Sequence, residues 1–143
     1  MTAYEFDGRD WSSDVCSADL SFASFALAPS AATMSSPQAA YIHVPFCRHR
    51  CGYCNFTLVA GRDDLIAAYL DALERELQQL ARPRPVRTVF FGGGTPTHLP
   101  PAQLSRLLML ARHWFPWPAN AEVSVEANPS DLDDERLAVL AAA

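Results

Sequence analysis

Three cysteines lie close together in the run Cys47-Arg-His-Arg-Cys51-Gly-Tyr-Cys54, directly after the apolar residues 41–46. Thiolates at this spacing can bind three irons of a four-iron cluster and leave the fourth iron with an open coordination position. An open position makes a metal centre reactive, as in zinc sites, where three protein ligands are typical of catalysis and four of structure. The cysteine run therefore indicates a reactive iron-sulfur site.

Two other interpretations of these cysteines are weaker. A structural zinc needs a fourth ligand, which His43 or His49 could supply, but zinc sites usually combine two cysteine pairs separated by a longer loop. A disulfide framework needs paired cysteines in a secreted chain. The remaining cysteine is Cys16, which lies in a segment that looks foreign to the rest of the sequence.

Two further segments carry residues suited to binding a ligand. Gly92, Gly93, Gly94 and Thr95 follow a β-branched and aromatic stretch. Glycines there can adopt positive φ and expose backbone N–H and C=O groups to a ligand, although a tight turn would explain them equally well. Neither a phosphate-binding loop nor a dinucleotide fingerprint matches the spacing. Glu126 ends a later extended stretch.

The elements that must position these residues alternate from residue 40 onward. Residues 41–45, 86–91 and 122–127 are predicted strands, and residues 63–81, the segment from Pro100 and the segment after Asp131 or Asp133 are predicted helices. One of these two aspartates is expected to cap the third helix. Such repeats imply parallel strands joined by right-handed crossovers, with chemistry at the carboxyl ends of the strands. All three candidate segments lie at the carboxyl ends of the predicted strands.

Composition limits the function further. The chain has 143 residues, half of them hydrophobic, and a formal net charge of -5, which suits one modest core and gives no nucleic-acid footprint. No run of eighteen apolar residues is present, so no membrane span is predicted. Residues 1–38 are predicted to be a disordered or non-native leader, in which residues 10–20 resemble a translated sequencing adapter. Met34 is the expected start of the native chain. Residues 137–143 end inside a helical pattern, so we expect an incomplete chain.

Taken together, the segments 41–56, 90–97 and 122–129 resemble the radical S-adenosylmethionine (SAM) enzymes, and within them the oxygen-independent coproporphyrinogen oxidase branch. Two details resemble the HemW-type heme chaperones of that branch. Asn55-Phe56 follows the third cysteine where the oxidases have a further cysteine, and the third strand ends in Glu126-Ala-Asn-Pro129. The resemblance covers residues 39–143.

The resemblance implies an α/β fold containing the first three βα units of a radical SAM (β/α) barrel, as the N-terminal part of the core domain. It implies that Cys47, Cys51 and Cys54 hold a 4Fe-4S cluster. The positions that match the family's SAM contacts are Tyr41, Tyr53, Gly93, Gly94, Thr95 and Glu126. An electron from the reduced cluster would cleave SAM to methionine and a 5′-deoxyadenosyl radical. No residue is assigned a catalytic role.

For the whole protein, the resemblance implies a heme chaperone that delivers heme to acceptor heme proteins and takes an electron from a donor. The resemblance is compatible with a membrane-associated acceptor and with a homodimer. Heme-binding residues are expected beyond residue 143. The oxygen-labile cluster and the acidic start of the leader favour a cytoplasmic location. One alternative is an oxygen-independent coproporphyrinogen III oxidase, and another is a fragment that has no function in isolation.

Overall fold

The computed structural model describes residues 37–143. The expectations for the leader, and for Met34 as the start of the native chain, therefore lie outside the described residues, apart from the last two residues of that segment. In chain order the elements are strand β1 (Ala39–Val44), the two-residue strands β2 (Phe46–Cys47) and β3 (Val59–Ala60), helix α1 (Ile66–Gln78), strand β4 (Thr88–Gly93), helix α2 (Pro101–Trp114), strand β5 (Glu122–Val125) and helix α3 (Asp134–Ala141).

The main sheet has three parallel strands in the order β1-β4-β5. Tyr41 pairs with Phe90, and Phe90 pairs with Ser124 on its other side. Because the strand order follows the chain order, each crossover moves one strand further in the same direction, as in a βα barrel. The predicted α/β fold with parallel βα units is confirmed.

One face of this sheet forms the core with the helices. Ile42, Val44, Val89 and Phe91 alternate along β1 and β4 and are buried against Leu70 of α1 and Leu104 and Leu107 of α2. Each such side chain contributes about 1.5–3 kcal/mol when it is removed from water. The opposite face carries Tyr41 and Phe90, both exposed. The sheet therefore presents a covered outer face and an open inner face.

Residues at the helix ends explain where α1 ends and where α2 begins. A short 3-10 turn, Asp63–Leu65, precedes α1, and the predicted helix 63–81 ends earlier than expected, at Gln78. Ala81 adopts a left-handed φ of 59°, and Pro83 follows it, so the helix cannot continue. Pro101 opens α2, where its missing N–H costs no hydrogen bond.

Of the two aspartates expected to cap the third helix, Asp133 does so. Its side chain accepts a hydrogen bond from the backbone N–H of Arg136 at 2.8 Å. Asp131 is buried and serves a different purpose, described below. None of the helices between residues 37 and 143 has both the length and the apolar composition that crossing a bilayer requires.

Candidate functional site

The three cysteines lie on a loop that is closed at its base. Cys47 belongs to β2, which pairs in parallel with β3, so the cysteine loop (residues 47–58) leaves the sheet and returns beside its own start. The backbone N–H of Val59 donates to the carbonyl of Pro45 at 2.7 Å, and the N–H of Cys54 donates to the carbonyl of Cys51 at 3.0 Å. The loop is therefore anchored to the end of β1.

Most of the predicted site residues line a single cavity of about 520 Å³ at the carboxyl ends of the strands. We call it the cysteine cavity. Among the residues that line it are Cys47, Arg48, His49, Cys51, Tyr53, Cys54, Phe56, Gly93, Gly94, Thr95, Glu126 and Asn128. The structure thus brings residues from the ends of three strands to one place. Of the predicted site residues, only Tyr41 is not part of this lining.

The three thiols are free and half-buried. The sulfur of Cys47 lies 3.5 Å from the Thr95 hydroxyl, and the sulfur of Cys51 lies 3.7 Å from Nε2 of His49. The Tyr53 ring is 88% exposed. A hydrogen bond with Cys51, together with the negative charge of the neighbouring thiolates, raises the pKa of Tyr53.

The glycine run (residues 92–94) allows the end of β4 to pack closely against the end of β1. Gly94 donates its N–H to the carbonyl of Val44 at 2.7 Å, and a Cβ at Gly94 would lie 2.5 Å from the carbonyl oxygen of Phe46. Gly93 has a φ of 112°, and a Cβ there would lie 2.3 Å from the ring of His43. Close approach is needed here, but the approaching groups belong to the chain itself. The packing interpretation therefore accounts for these two glycines.

Glu126 folds back over the glycine run. Its Oε2 accepts a hydrogen bond from the backbone N–H of Gly93 at 2.9 Å. A Cβ at Gly92 would lie 2.9 Å from that same oxygen and 2.5 Å from the ring of Phe90. Gly92, which is not among the positions that match the family's SAM contacts, therefore leaves the space through which Glu126 reaches the cavity.

Tyr41 lies on the open inner face of the sheet. Its ring stacks on Phe90 with centroids 5.9 Å apart, and its hydroxyl lies 3.3 Å from Nδ1 of His43. Nε2 of His43 donates to the carbonyl of Thr57 at 3.0 Å, because a carbonyl can only accept. Tyr41 is therefore connected to the cysteine loop through His43.

Two charged residues at the site went unrecognised in the sequence. Nη2 of Arg48, between the first two cysteines, donates to Oδ1 of Asp131 at 3.1 Å, and the Asp131 side chain is only 4% exposed. This ion pair joins the cysteine loop to the segment after β5. No local pattern predicts it, because the partners are 83 positions apart.

The residues present fit an iron-sulfur cluster. Within residues 37–143 no three His, Cys, Asp or Glu side chains converge on a point where one ion could bind. A four-iron cluster needs no such convergence, because each thiolate binds a separate iron. Three free thiols around one cavity supply the soft donors that such clusters prefer.

Comparison with known proteins gives the family. Residues 41–143 match the Radical SAM superfamily. The heme chaperone HemW of Lactococcus lactis is 42% identical over 108 residues, which are 76% of this chain and 28% of that protein. The oxygen-independent coproporphyrinogen III oxidase of Escherichia coli is 41% identical over 101 residues, covering 68% of this chain and 22% of that protein.

A solved structure agrees in fold. The chain superposes on coproporphyrinogen III oxidase (HemN) from Escherichia coli, described as a radical SAM enzyme, with a TM-score of 0.67 and 39% identity over 75% of this chain and 26% of that one. The chain thus spans about a quarter of the length of these relatives. The family implies a 4Fe-4S cluster and SAM. The chain belongs to the radical SAM superfamily.

Proposed function

We propose that this protein is a heme chaperone of the radical SAM type, which binds a 4Fe-4S cluster and SAM and delivers heme to acceptor heme proteins. The observation that carries the proposal is the residue two positions after Cys54. It is Phe56, whose ring is 66% exposed at the wall of the cysteine cavity. The resembled oxidases have a cysteine there, so this chain offers the cluster an apolar ring in place of a fourth thiol.

Within this proposal, Cys47, Cys51 and Cys54 hold the cluster, and SAM binds in the same cavity. The Glu126 carboxylate, which accepts from the N–H of Gly93 and lines this cavity, would accept a strong charge-assisted hydrogen bond from the amino group of SAM. Tyr53, which lines the same cavity and is 88% exposed, would pack its ring against SAM. When bound and reduced, the cluster supplies the electron for reductive cleavage of SAM.

The remaining residues assigned to SAM would act through their backbone groups or through a neighbouring residue. Gly93 and Gly94 contribute backbone rather than side-chain groups. Tyr41 acts through His43, since it does not line the cavity. An oxygen-labile cluster requires a reducing compartment, so the proposal includes a cytoplasmic location and an electron donor.

A second candidate function is oxygen-independent coproporphyrinogen III oxidase. The identity to the oxidase of Escherichia coli nearly equals that to the heme chaperone of Lactococcus lactis. Identity over this part of the chain therefore favours both functions about equally. The choice between them rests on residues 55 and 56 and on a direct assay.

The test uses the full-length protein, with its cluster reconstituted and reduced without oxygen. Given SAM and coproporphyrinogen III, it should form no protoporphyrinogen IX, while the oxidase of Escherichia coli, assayed in parallel, should form it. Given heme, it should bind the heme and transfer it to an apo heme protein. Turnover of coproporphyrinogen would replace this proposal with the second candidate.

A further inference from the structure

Buried hydroxyl groups connect the ends of β1, β4 and β5 beside the first cysteine. Thr95 and Thr97, just after β4, are 7% and 0% exposed. The Thr95 hydroxyl lies 3.5 Å from the sulfur of Cys47 and 3.3 Å from Nδ2 of Asn128. The backbone N–H of Asn128 donates to the Thr97 hydroxyl at 3.3 Å, which fixes Asn128 next to Thr95.

The backbone of Thr95 is fixed as well. Its N–H donates to the carbonyl of Phe46 at 2.8 Å, and its carbonyl accepts from the N–H of His98 at 2.8 Å. Every polar group of Thr95 therefore already has a partner in the chain. The resemblance implies that Thr95 contacts SAM, and in the structure its hydroxyl points at the sulfur of Cys47.

The donor and acceptor roles in this chain of hydrogen bonds follow from chemistry. The Asn128 amide nitrogen can only donate, so the Thr95 oxygen accepts from it. A hydroxyl has a single hydrogen, which is then left for the sulfur of Cys47. A thiolate bound to iron has no proton and can only accept. The order is thus Asn128 to Thr95 to Cys47.

We infer that Thr95 donates a hydrogen bond to the cluster-binding sulfur of Cys47, that Asn128 is the positioning residue that sets its direction, and that together they raise the reduction potential of the cluster. This inference rests on the proposed cluster. A reduced cluster carries one more negative charge, part of it on the sulfurs, so a donor at sulfur stabilises the reduced form more than the oxidised form. Hydrogen bonds to sulfur are among the features that set cluster potentials.

The test is the midpoint potential of the reconstituted cluster, measured by anaerobic redox titration followed by electron paramagnetic resonance. Thr95→Val keeps the shape and removes the donor, and Thr95→Ser keeps the donor. Asn128→Leu keeps the approximate size of the side chain and removes the donor to Thr95 without adding a charge, so the hydroxyl loses the partner that directs it at Cys47. Thr95→Val should lower the ratio of reduced to oxidised cluster about tenfold at a fixed potential, or about 59 mV for one electron, and Asn128→Leu should lower it in the same direction. Thr95→Ser should match the wild type.

Each outcome decides the matter. An unchanged potential in Thr95→Val with a full cluster overturns the inference, and so does weaker SAM binding at an unchanged potential. If Thr95→Val fails to hold a cluster, an unchanged potential in Asn128→Leu overturns it. In the wild type, the reduced cluster should show a coupled proton that exchanges in deuterated water, and its absence overturns the inference whatever the variants do. A wild type that binds no iron would refute the proposed function instead.

Discussion

Replacing Gly94 with alanine should destabilise the junction of β1 and β4, and not only weaken a ligand. The added methyl carbon would lie 2.5 Å from the carbonyl oxygen of Phe46 and 2.8 Å from the carbonyl carbon of Pro45. These are backbone atoms, so no side-chain rotation relieves the contact, and the strand ends must separate. The 2.7 Å hydrogen bond from the N–H of Gly94 to Val44 would lengthen as a result.

The expected loss combines two effects. Forcing a methyl group into a packed site costs about 1–3 kcal/mol, and weakening one or two backbone hydrogen bonds adds roughly 0.5–1.5 kcal/mol each. We therefore expect Gly94→Ala to lower the free energy of unfolding by about 2–4 kcal/mol, with a fall in Tm of roughly 10 °C.

The assay is denaturation of the cluster-free, reduced protein followed by circular dichroism. Gly52→Ala in the cysteine loop is the control, since nothing lies within 4 Å of its methyl group, and it should change stability by less than about 0.5 kcal/mol. If Gly94→Ala unfolds with the wild type and loses only SAM binding, the packing explanation of the glycine run is wrong.

Three further predictions concern single side chains. Glu126→Gln should weaken SAM binding in equilibrium titrations while the iron content stays unchanged, because the cavity loses a charged hydrogen-bond acceptor. Arg48→Ala should cost about 1–3 kcal/mol and speed amide exchange in the cysteine loop, because the buried Asp131 carboxylate loses its cation. Burial and the charge of Glu76 raise the pKa of Tyr69 from 10.0 to about 12, so stability should fall as pH rises through that window. Tyr69→Phe should flatten this decline in alkaline denaturation curves, and an unchanged decline would contradict it.

The sequence predicts β1 and α1 because each has a clear period. The alternation of Ile42 and Val44 with Tyr41 and His43 identifies β1, and the helical spacing of residues 66, 70 and 77 identifies α1. The β2–β3 pair escaped prediction because two residues form no period. Yet this pair closes the base of the cysteine loop.

The contacts within the site were harder to predict because they join residues far apart in the chain. From sequence, Asp131 was one of two candidates to cap a helix, and only the fold brings Arg48 to it. From sequence, Gly93 could serve a ligand or a turn, and only the fold shows that the ring of His43 leaves no room for a side chain there. Asn128 was part of a recognised motif, but its contact with Thr95 depends on the register of two strands.

The most direct measurement of the central claim is iron and sulfide content after anaerobic reconstitution, together with the visible absorption of the product. The account predicts about four irons per chain and a broad iron-sulfur absorption band, lost in each of Cys47→Ala, Cys51→Ala and Cys54→Ala and retained in Gly52→Ala. Stoichiometric zinc in place of iron, or a full cluster in any one of the three cysteine variants, would contradict it.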